Sequence, residues 1–382
     1  MNAWALYLYY AQTDTDFNLP YNPTRVLKVN FAALSLVVGW FQDIPLVLSF
    51  LHWRYIVVGK RFHEIVSQDI VYSPGLQCKL DVYHPDDRER PAPIIVFIYG
   101  GSWSSGSKRL YSTFANTLRE MGYVVVVPDY RKYPQVKIDS MYDDVRQAIR
   151  WAYKHAREIR GDVEMLYVMG HSAGAHLAAQ VIFSDVIEKA KYTYSKSTAV
   201  SEKYDVTATG RPLHFLPQVE GLFLFAGVYN IEEHLLHETR RGVDKISGMT
   251  RVMGSNVEGF RQNSPLVQVR DNMQIFAESR DIQDFIPRIL FVHGELDAVV
   301  PSEQSTEMYS ALGEVLPLEI RGDVDVRMRL YKRTGHAQCV TALMPNCLHQ
   351  DRLTKSLMCD IKEFIDSPPP YEDLEELEIY TD

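Results

Sequence analysis

The pattern of apolar and polar positions changes near residue 76. From there, short runs rich in Val, Ile, Leu and Phe alternate with stretches whose apolar residues recur at helical spacing. The runs "KLDVYH" (79–84), "PIIVFIY" (93–99), "YVVVVPDY" (123–130), "MLYVMG" (165–170), "GLFLFAGVY" (221–229), "RILFVHG" (288–294) and "VRMRLYKR" (326–333) read as strands. Most are apolar on both faces, as strands covered from two sides are. Between them, "SMYDDVRQAIRWAYKHAREI" (140–159) sets apolar residues on one helical face and charges on the other. This alternation predicts an α/β fold with a mostly parallel central sheet flanked by helices. Residues 190–217, rich in Ser, Thr, Lys and Tyr, read as an insertion or loop. Residues 231–287 read as irregular helices that form a helical cap over the strand ends.

The two ends of the chain follow other patterns. Residues 31–51, "FAALSLVVGWFQDIPLVLSFL", are about as long as a spanning helix, roughly 20 residues, but Asp43 and Pro45 divide them into two short apolar pieces. Two short helices are expected, lying in a membrane interface or packed as a cap. Basic residues flank both sides (Arg25 and Lys28 before, Arg54, Lys60 and Arg61 after), so charge marks no orientation. The tail "DSPPPYEDLEELEIYTD" stacks prolines ahead of an acidic run and reads as disordered. Within it, Pro368, Pro369, Pro370 and Tyr371 match the proline-plus-tyrosine ligands of WW domains, which dock a preformed polyproline helix on aromatic grooves. The expected organisation is therefore an apolar N-terminal segment (1–62), a main domain (63–366) and an acidic tail (367–382).

Composition narrows the functional classes. The chain has 382 residues, 46% hydrophobic and 23% charged, enough to bury a large core. Its formal charge of −9 argues against a nucleic-acid partner, because phosphate binding needs clustered Lys and Arg. Cys78, Cys339, Cys347 and Cys359 have neither metal-ligand spacing nor the density of a disulfide scaffold, so reduced thiols are expected. The first residues, "MNAWALYLYYAQTDTD", lack the basic n-region and cleavage site of a secretory signal, which favours a cytosolic or cytosol-facing protein.

Candidate chemistry begins with "YVMGHSAGAHLAAQ" (167–180), where Gly170-His171-Ser172-Ala173-Gly174 lies between an apolar strand and an Ala-rich helix. This is the strand–turn–helix setting of a nucleophile elbow, with glycines where a Cβ would collide and the Ser172 hydroxyl at a helix N-terminus. An acyl-transfer nucleophile needs N–H donors aimed at the tetrahedral oxyanion, and "FIYGGSWSSG" (97–106) offers a bare backbone after an earlier strand. The donors assigned are the N–H groups of Gly101, Ser102 and Ala173.

A serine also needs a base held in the right tautomer, and in this architecture the order is Ser, acid, His. "RILFVHGELDAVVP" (288–301) presents Asp297 after a strand, with Glu295 as the fallback, and "LYKRTGHAQCV" (330–340) presents His336 after the last strand. His171, His176 and His293 have weaker claims to the base. Asp129 and Arg131 in "VPDYRKYP" (127–134) read as an ion pair bracing the loop. No metal or organic cofactor is implied.

These residues resemble the α/β-hydrolase superfamily, and within it the hormone-sensitive-lipase-like esterases, over about residues 75–366. "GGSW" (100–103), "DYR" (129–131), "GHSAGAH" (170–176), "GVYN" (227–230), "HGELDAVVP" (293–301) and "GHAQ" (335–338) together look like the isoprenylcysteine methylesterase branch. The resemblance implies an α/β-hydrolase fold and hydrolysis of a prenylcysteine methyl ester at endomembranes such as the endoplasmic reticulum. It also implies Ser172 as nucleophile, Asp297 as acid and His336 as base, with the oxyanion donors named above. Two positions depart from it: Tyr99 stands where a histidine usually opens the H-G-G motif, and His171 where that branch often has Gln. Kynurenine formamidases share a similar pair of motifs, so an amide substrate is the alternative. A non-catalytic binding protein on the same fold is the reading from another class.

Overall fold

In a computed structural model of the protein, the described residues are 47–366 apart from 88, 198–214, 245–246, 279–281, 317–323 and 345–351, together with Asn30, Leu34 and 379–380. The apolar runs form strands because their Val, Ile and Phe side chains suit a pleated surface buried on both sides. In chain order these are β1 (Val66–Ser73), β2 (Cys78–Tyr83), β3 (Ala92–Ile98), β4 (Val124–Pro128), β5 (Gly161–His171), β6 (Gly221–Phe225), β7 (Arg288–Gly294), β8 (Val326–Tyr331) and β9 (Ile379–Tyr380). They make one sheet in the order β1-β2-β4-β3-β5-β6-β7-β8-β9. β2 is antiparallel to both β1 and β4, and the neighbours from β4 onward are parallel. The C-terminal ends of β3, β5, β6, β7 and β8 therefore converge on one edge, where the loops after parallel strands gather the candidate residues.

The seven expected strands are all present; β4, β6 and β8 are shorter than expected, and β5 is longer, starting at Gly161. The run at 221–229 stops as a strand at Phe225, because Ala226 turns into the left-handed region at φ 46° and donates its N–H to Val292 O. β1 is an additional strand. Its burial alternates poorly, Asp69 sits at φ 55°, and the register with β2 shifts between Ser67 and Ile70, so the period-2 signal is broken by a bulge.

The helix Ile138–Lys154 matches the expected crossover and buries Ile138, Met141, Val145, Ala148, Ile149 and Ala152 along one face. Asp144 lies on that same buried face with its side chain fully covered, and the Arg131 guanidinium grips it through Nη2–Oδ1 (2.8 Å) and Nε–Oδ2 (2.9 Å). Here the sequence reading needs correction: Asp129 and Arg131 do not pair with each other. Asp129 Oδ1 instead accepts the Tyr99 hydroxyl and the Lys108 N–H. Each residue braces the loop, through a different partner.

The helix that begins at Ala173 runs to Ser197 and so takes in the start of the stretch read as a loop; residues 198–214 lie outside the described residues. The stretch 231–287 is indeed a chain of short helices, among them Ile231–Arg241, Val257–Gln262 and Pro265–Asp271. These are tied to the helix Ala173–Ser197 by Gln180 Nε2–Gln262 O (3.0 Å) and Ser184 Oγ–Gln268 Oε1 (3.1 Å).

The expected break at Asp43 and Pro45 lies outside the described residues, as do Cys347 and the Pro368–Tyr371 motif. In the tail read as disordered, Ile379–Tyr380 pair with Leu330 and Tyr331. Among the described residues, no helix is long and apolar enough to cross a membrane. Cys78, Cys339 and Cys359 are free thiols.

Candidate active site

The turn after β5 is built by sterics. The ends of β3 and β5 are in register at Ile98 and Gly170, and the chain must reverse immediately into the helix that starts at Ala173. A Cβ on Gly174 would lie 2.0 Å from Ile98 O, and one on Gly170 would lie 2.6 Å from Ala175 Cα. Ser172, between them, is held at φ 54°, a costly conformation for a residue with a side chain, and its N–H bonds to Phe225 O at 2.9 Å. Strain of this kind persists only where the surroundings over-determine it, and here two strands and a helix do so.

Strands β7 and β8 bring the other candidates to the same edge. β7 and β8 are in register at Gly294 and Tyr331, and the loops that follow are joined by Leu296 N–Thr334 O at 3.1 Å. A Cβ on Gly294 would lie 2.1 Å from Thr334 O, so the loop holding Asp297 and the loop holding His336 approach as closely as backbone allows. His336 spans the gap: Nδ1 is 2.7 Å from Asp297 Oδ2 and Nε2 is 2.9 Å from Ser172 Oγ. A carboxylate only accepts, so Nδ1 carries the proton and Nε2 is free to accept from the serine hydroxyl. Residues separated by 164 and 39 positions in sequence thus meet as the motif order requires.

Asp297 is buried and saturated with donors. Oδ1 accepts the Val299 and Val300 N–H groups at 2.8 and 2.9 Å, and Oδ2 accepts from His293 Nε2 at 3.2 Å as well as from His336. Burial alone would push this carboxyl up, but the hydrogen bonds from His293 and His336 outweigh it and hold the group well below the usual carboxylate range. Glu295, the fallback acid, is exposed.

His293, which has a weaker claim to the base, supports the acid directly. Its Nδ1 accepts from Ser305 Oγ at 2.7 Å, which leaves Nε2–H to donate to Asp297 and to Val300 O. The spacing of four residues in "HGELD" was the available signal. His171 also has a part: its Nε2 lies 3.2 Å from His336 O, and the two rings are 5.0 Å apart. Burial, reinforced by the nearby His336 ring, pushes His171 down to about 3, so it is neutral and donates to that carbonyl.

The glycine loop after β3 closes the site on its remaining side. Gly101, Ser102 and Trp103 have φ of 140°, 49° and 58°, three left-handed residues in a row. The Gly101 carbonyl is turned back to accept from Ser104 N and Ser105 N. Among the described residues, no hydrogen bond within the protein engages the N–H groups of Gly101 and Ser102. A Cβ on Gly100 would lie 2.9 Å from Ser172 Cβ, so this loop lies directly against the serine. Tyr99 fills the position of the expected histidine, and its hydroxyl donates to Asp129 and accepts from Lys132 Nζ at 2.8 Å.

Residues 80–312 match the BD-FAE family model. The chain belongs to the BD-FAE family. This places it among the α/β-hydrolases of the hormone-sensitive-lipase-like class. A probable isoprenylcysteine alpha-carbonyl methylesterase of Oryza sativa subsp. japonica is 29% identical over 66% of this chain and 54% of its own length. A kynurenine formamidase of Salmo salar is 31% identical over 43% of this chain and 46% of its own. The chain thus spans about half the length of these curated relatives. The apo form of Thermogutta terrifontis esterase 2 superposes with a TM-score of 0.54 at 21% identity, over 79% of this chain and 94% of that one, which supports the α/β-hydrolase fold.

Proposed function

We propose that this BD-FAE protein is a serine carboxylesterase that works through an acyl-enzyme. The single observation that carries the reading is His336 placed within hydrogen-bonding distance of both Ser172 Oγ and Asp297 Oδ2. Ser172 Oγ attacks the ester carbonyl carbon while His336 Nε2 takes its proton. The tetrahedral oxyanion faces the N–H groups of Gly101, Ser102 and Ala173. Collapse expels the alcohol, which receives the proton from Nε2. Water, deprotonated by the same nitrogen, then resolves the acyl-enzyme. Asp297 keeps Nδ1 protonated and stabilises the imidazolium.

The substrate class proposed is a prenylated cysteine methyl ester. It is supported by the methylesterase activity for which the rice relative is named and by the motifs shared with that branch. The formamidase relative supports the second reading, an N-formyl amide. Turnover of farnesylcysteine methyl ester and of N-formylkynurenine by the same preparation separates them. The expected result is carboxylate release from the first at a kcat/KM at least tenfold above the second; the reverse order overturns the ester assignment.

A lipid-modified substrate suits an enzyme held at a membrane surface. Val47, Leu48, Leu51, Tyr55, Ile56 and Val57 are exposed, and the basic Arg54, Lys60 and Arg61 lie among and just after them. This combination supports interfacial binding of the N-terminal segment to anionic lipid. Flotation with phosphatidylserine-containing vesicles should carry the full chain, and should not carry a version starting at residue 62. Equal behaviour of the two overturns the idea.

A further inference from the structure

Two consecutive non-glycine residues in the left-handed region, Ser102 and Trp103, need an external restraint, because each on its own favours another conformation. Trp103 provides the handle. Its side chain is buried against His176, with ring centroids 5.3 Å apart in an edge-on arrangement, and its Nε1–H donates to His176 Nδ1 at 3.1 Å. The main chain is fastened at the same residue, since Tyr133 N donates to Trp103 O at 3.0 Å.

His176 is fully buried one helical turn after Ser172, and its own N–H bonds to Ser172 O at 3.1 Å. Its Nε2 lies 2.8 Å from Asn263 O, a carbonyl that only accepts. The proton therefore sits on Nε2, and Nδ1 is left as the acceptor that the indole N–H requires. Burial pushes His176 down to about 4, consistent with this neutral form. Asn263 is held in turn by the Tyr142 hydroxyl at 2.9 Å from its Oδ1.

We infer that Trp103 and His176 are positioning residues that fasten the glycine loop to the serine-bearing helix and, through Asn263, to the chain of short helices above it. Neither touches the reacting atoms. They hold the Gly101 and Ser102 N–H groups in place, so their loss weakens binding of the tetrahedral state and leaves ground-state binding nearly intact. The inference rests on the esterase reading for its kinetic consequence, and on geometry alone for the restraint.

The test uses the full chain and a simple acetate ester. Trp103→Phe keeps an aromatic ring and removes the indole N–H; kcat should fall about 10- to 100-fold with KM within about threefold, since one misplaced oxyanion donor costs roughly 10²–10³. Affinity for a trifluoromethyl ketone, which mimics the tetrahedral state, should weaken by the same factor. His176→Leu should behave likewise, and His176→Asn, whose side-chain oxygen still accepts from Trp103, should recover part of the loss.

Full activity in Trp103→Phe, equal activity of the Leu and Asn variants, or a loss confined to KM each overturns the inference. If Trp103→Phe does not fold, the His176 pair decides. Hydrogen exchange across residues 99–106 reads the restraint without turnover. It should quicken at least tenfold in Trp103→Phe, and unchanged exchange overturns the restraint even if the protein proves not to be an esterase.

Discussion

Replacing Ser172 with alanine should lower kcat on any accepted ester by roughly 10⁴- to 10⁶-fold, and should abolish covalent labelling by a fluorophosphonate. The size of the effect follows from what remains. Without Oγ, His336 Nε2 loses its partner at 2.9 Å, and the acyl-enzyme route is closed. Only the oxyanion donors and bound water are left to accelerate the reaction. The substitution itself is mild, since it removes one oxygen from a small side chain, so the thermal midpoint should stay close to that of the intact protein. The comparison is made with the intact chain and the variant under identical conditions, by stopped assay and by gel-based labelling. Near-normal turnover in the variant would remove Ser172 from the chemistry, whereas an intact chain that neither turns over esters nor takes the label would favour the reading of this fold as a binding protein.

Asp297→Asn should lower kcat by about 10⁴-fold with little change in KM. The asparagine side chain carries an N–H₂ group that bonds best to an unprotonated Nδ1. It therefore pulls the His336 proton to Nε2, where it blocks acceptance from Ser172 Oγ. Here the effect reaches further, because Asp297 is shared: His293 donates to the same oxygen as His336, and two backbone N–H groups occupy the other.

The same carboxylate gives a pH signature in stability. Its folded pKa is depressed, so its contribution is fully present above its unfolded value of about 3.9 and is lost as pH falls toward the lower folded value. Denaturant midpoints measured from pH 6 down to pH 2.5 should fall more steeply for the intact protein than for Asp297→Asn. Parallel curves would mean that the carboxylate is not held as described.

The parts of the site legible in the sequence were those where one local constraint demands one residue type. Gly170 and Gly174 had to be glycine because backbone from β3 and the following helix fills the space of a Cβ, and that demand shows in the short motif around Ser172. The proposed acid and base, Asp297 and His336, were readable through chain order and through their positions just after apolar strands. The supporting histidines were not. His171, His176 and His293 each look like an ordinary residue beside a motif, and their partners are His336 O, Trp103 with Asn263, and Ser305 with Asp297. Most of those partners are distant in sequence, and no periodicity announces them. The assumed pairing of Asp129 with Arg131 failed for a related reason. The strand ends at Pro128, so its alternation no longer governs the two side chains, and Asp129 meets Tyr99 and Lys108 whereas Arg131 meets Asp144 on a neighbouring helix.

The sequence by itself determined the α/β class, the seven apolar strands and the crossover helix, and singled out Ser172, Asp297 and His336, which the structure brings within hydrogen-bonding distance of one another, because burial on two faces, helical spacing and a tight glycine turn are all local demands on residue type. The tertiary structure alone decided the sheet order, the antiparallel β1 with its bulge at Asp69, the sharing of Asp297 between two histidines and the anchoring of Trp103 on His176. These depend on which strand ends become neighbours, and a hydrogen bond between residues 73 positions apart exists only once the sheet has brought the glycine loop and the serine-bearing helix together.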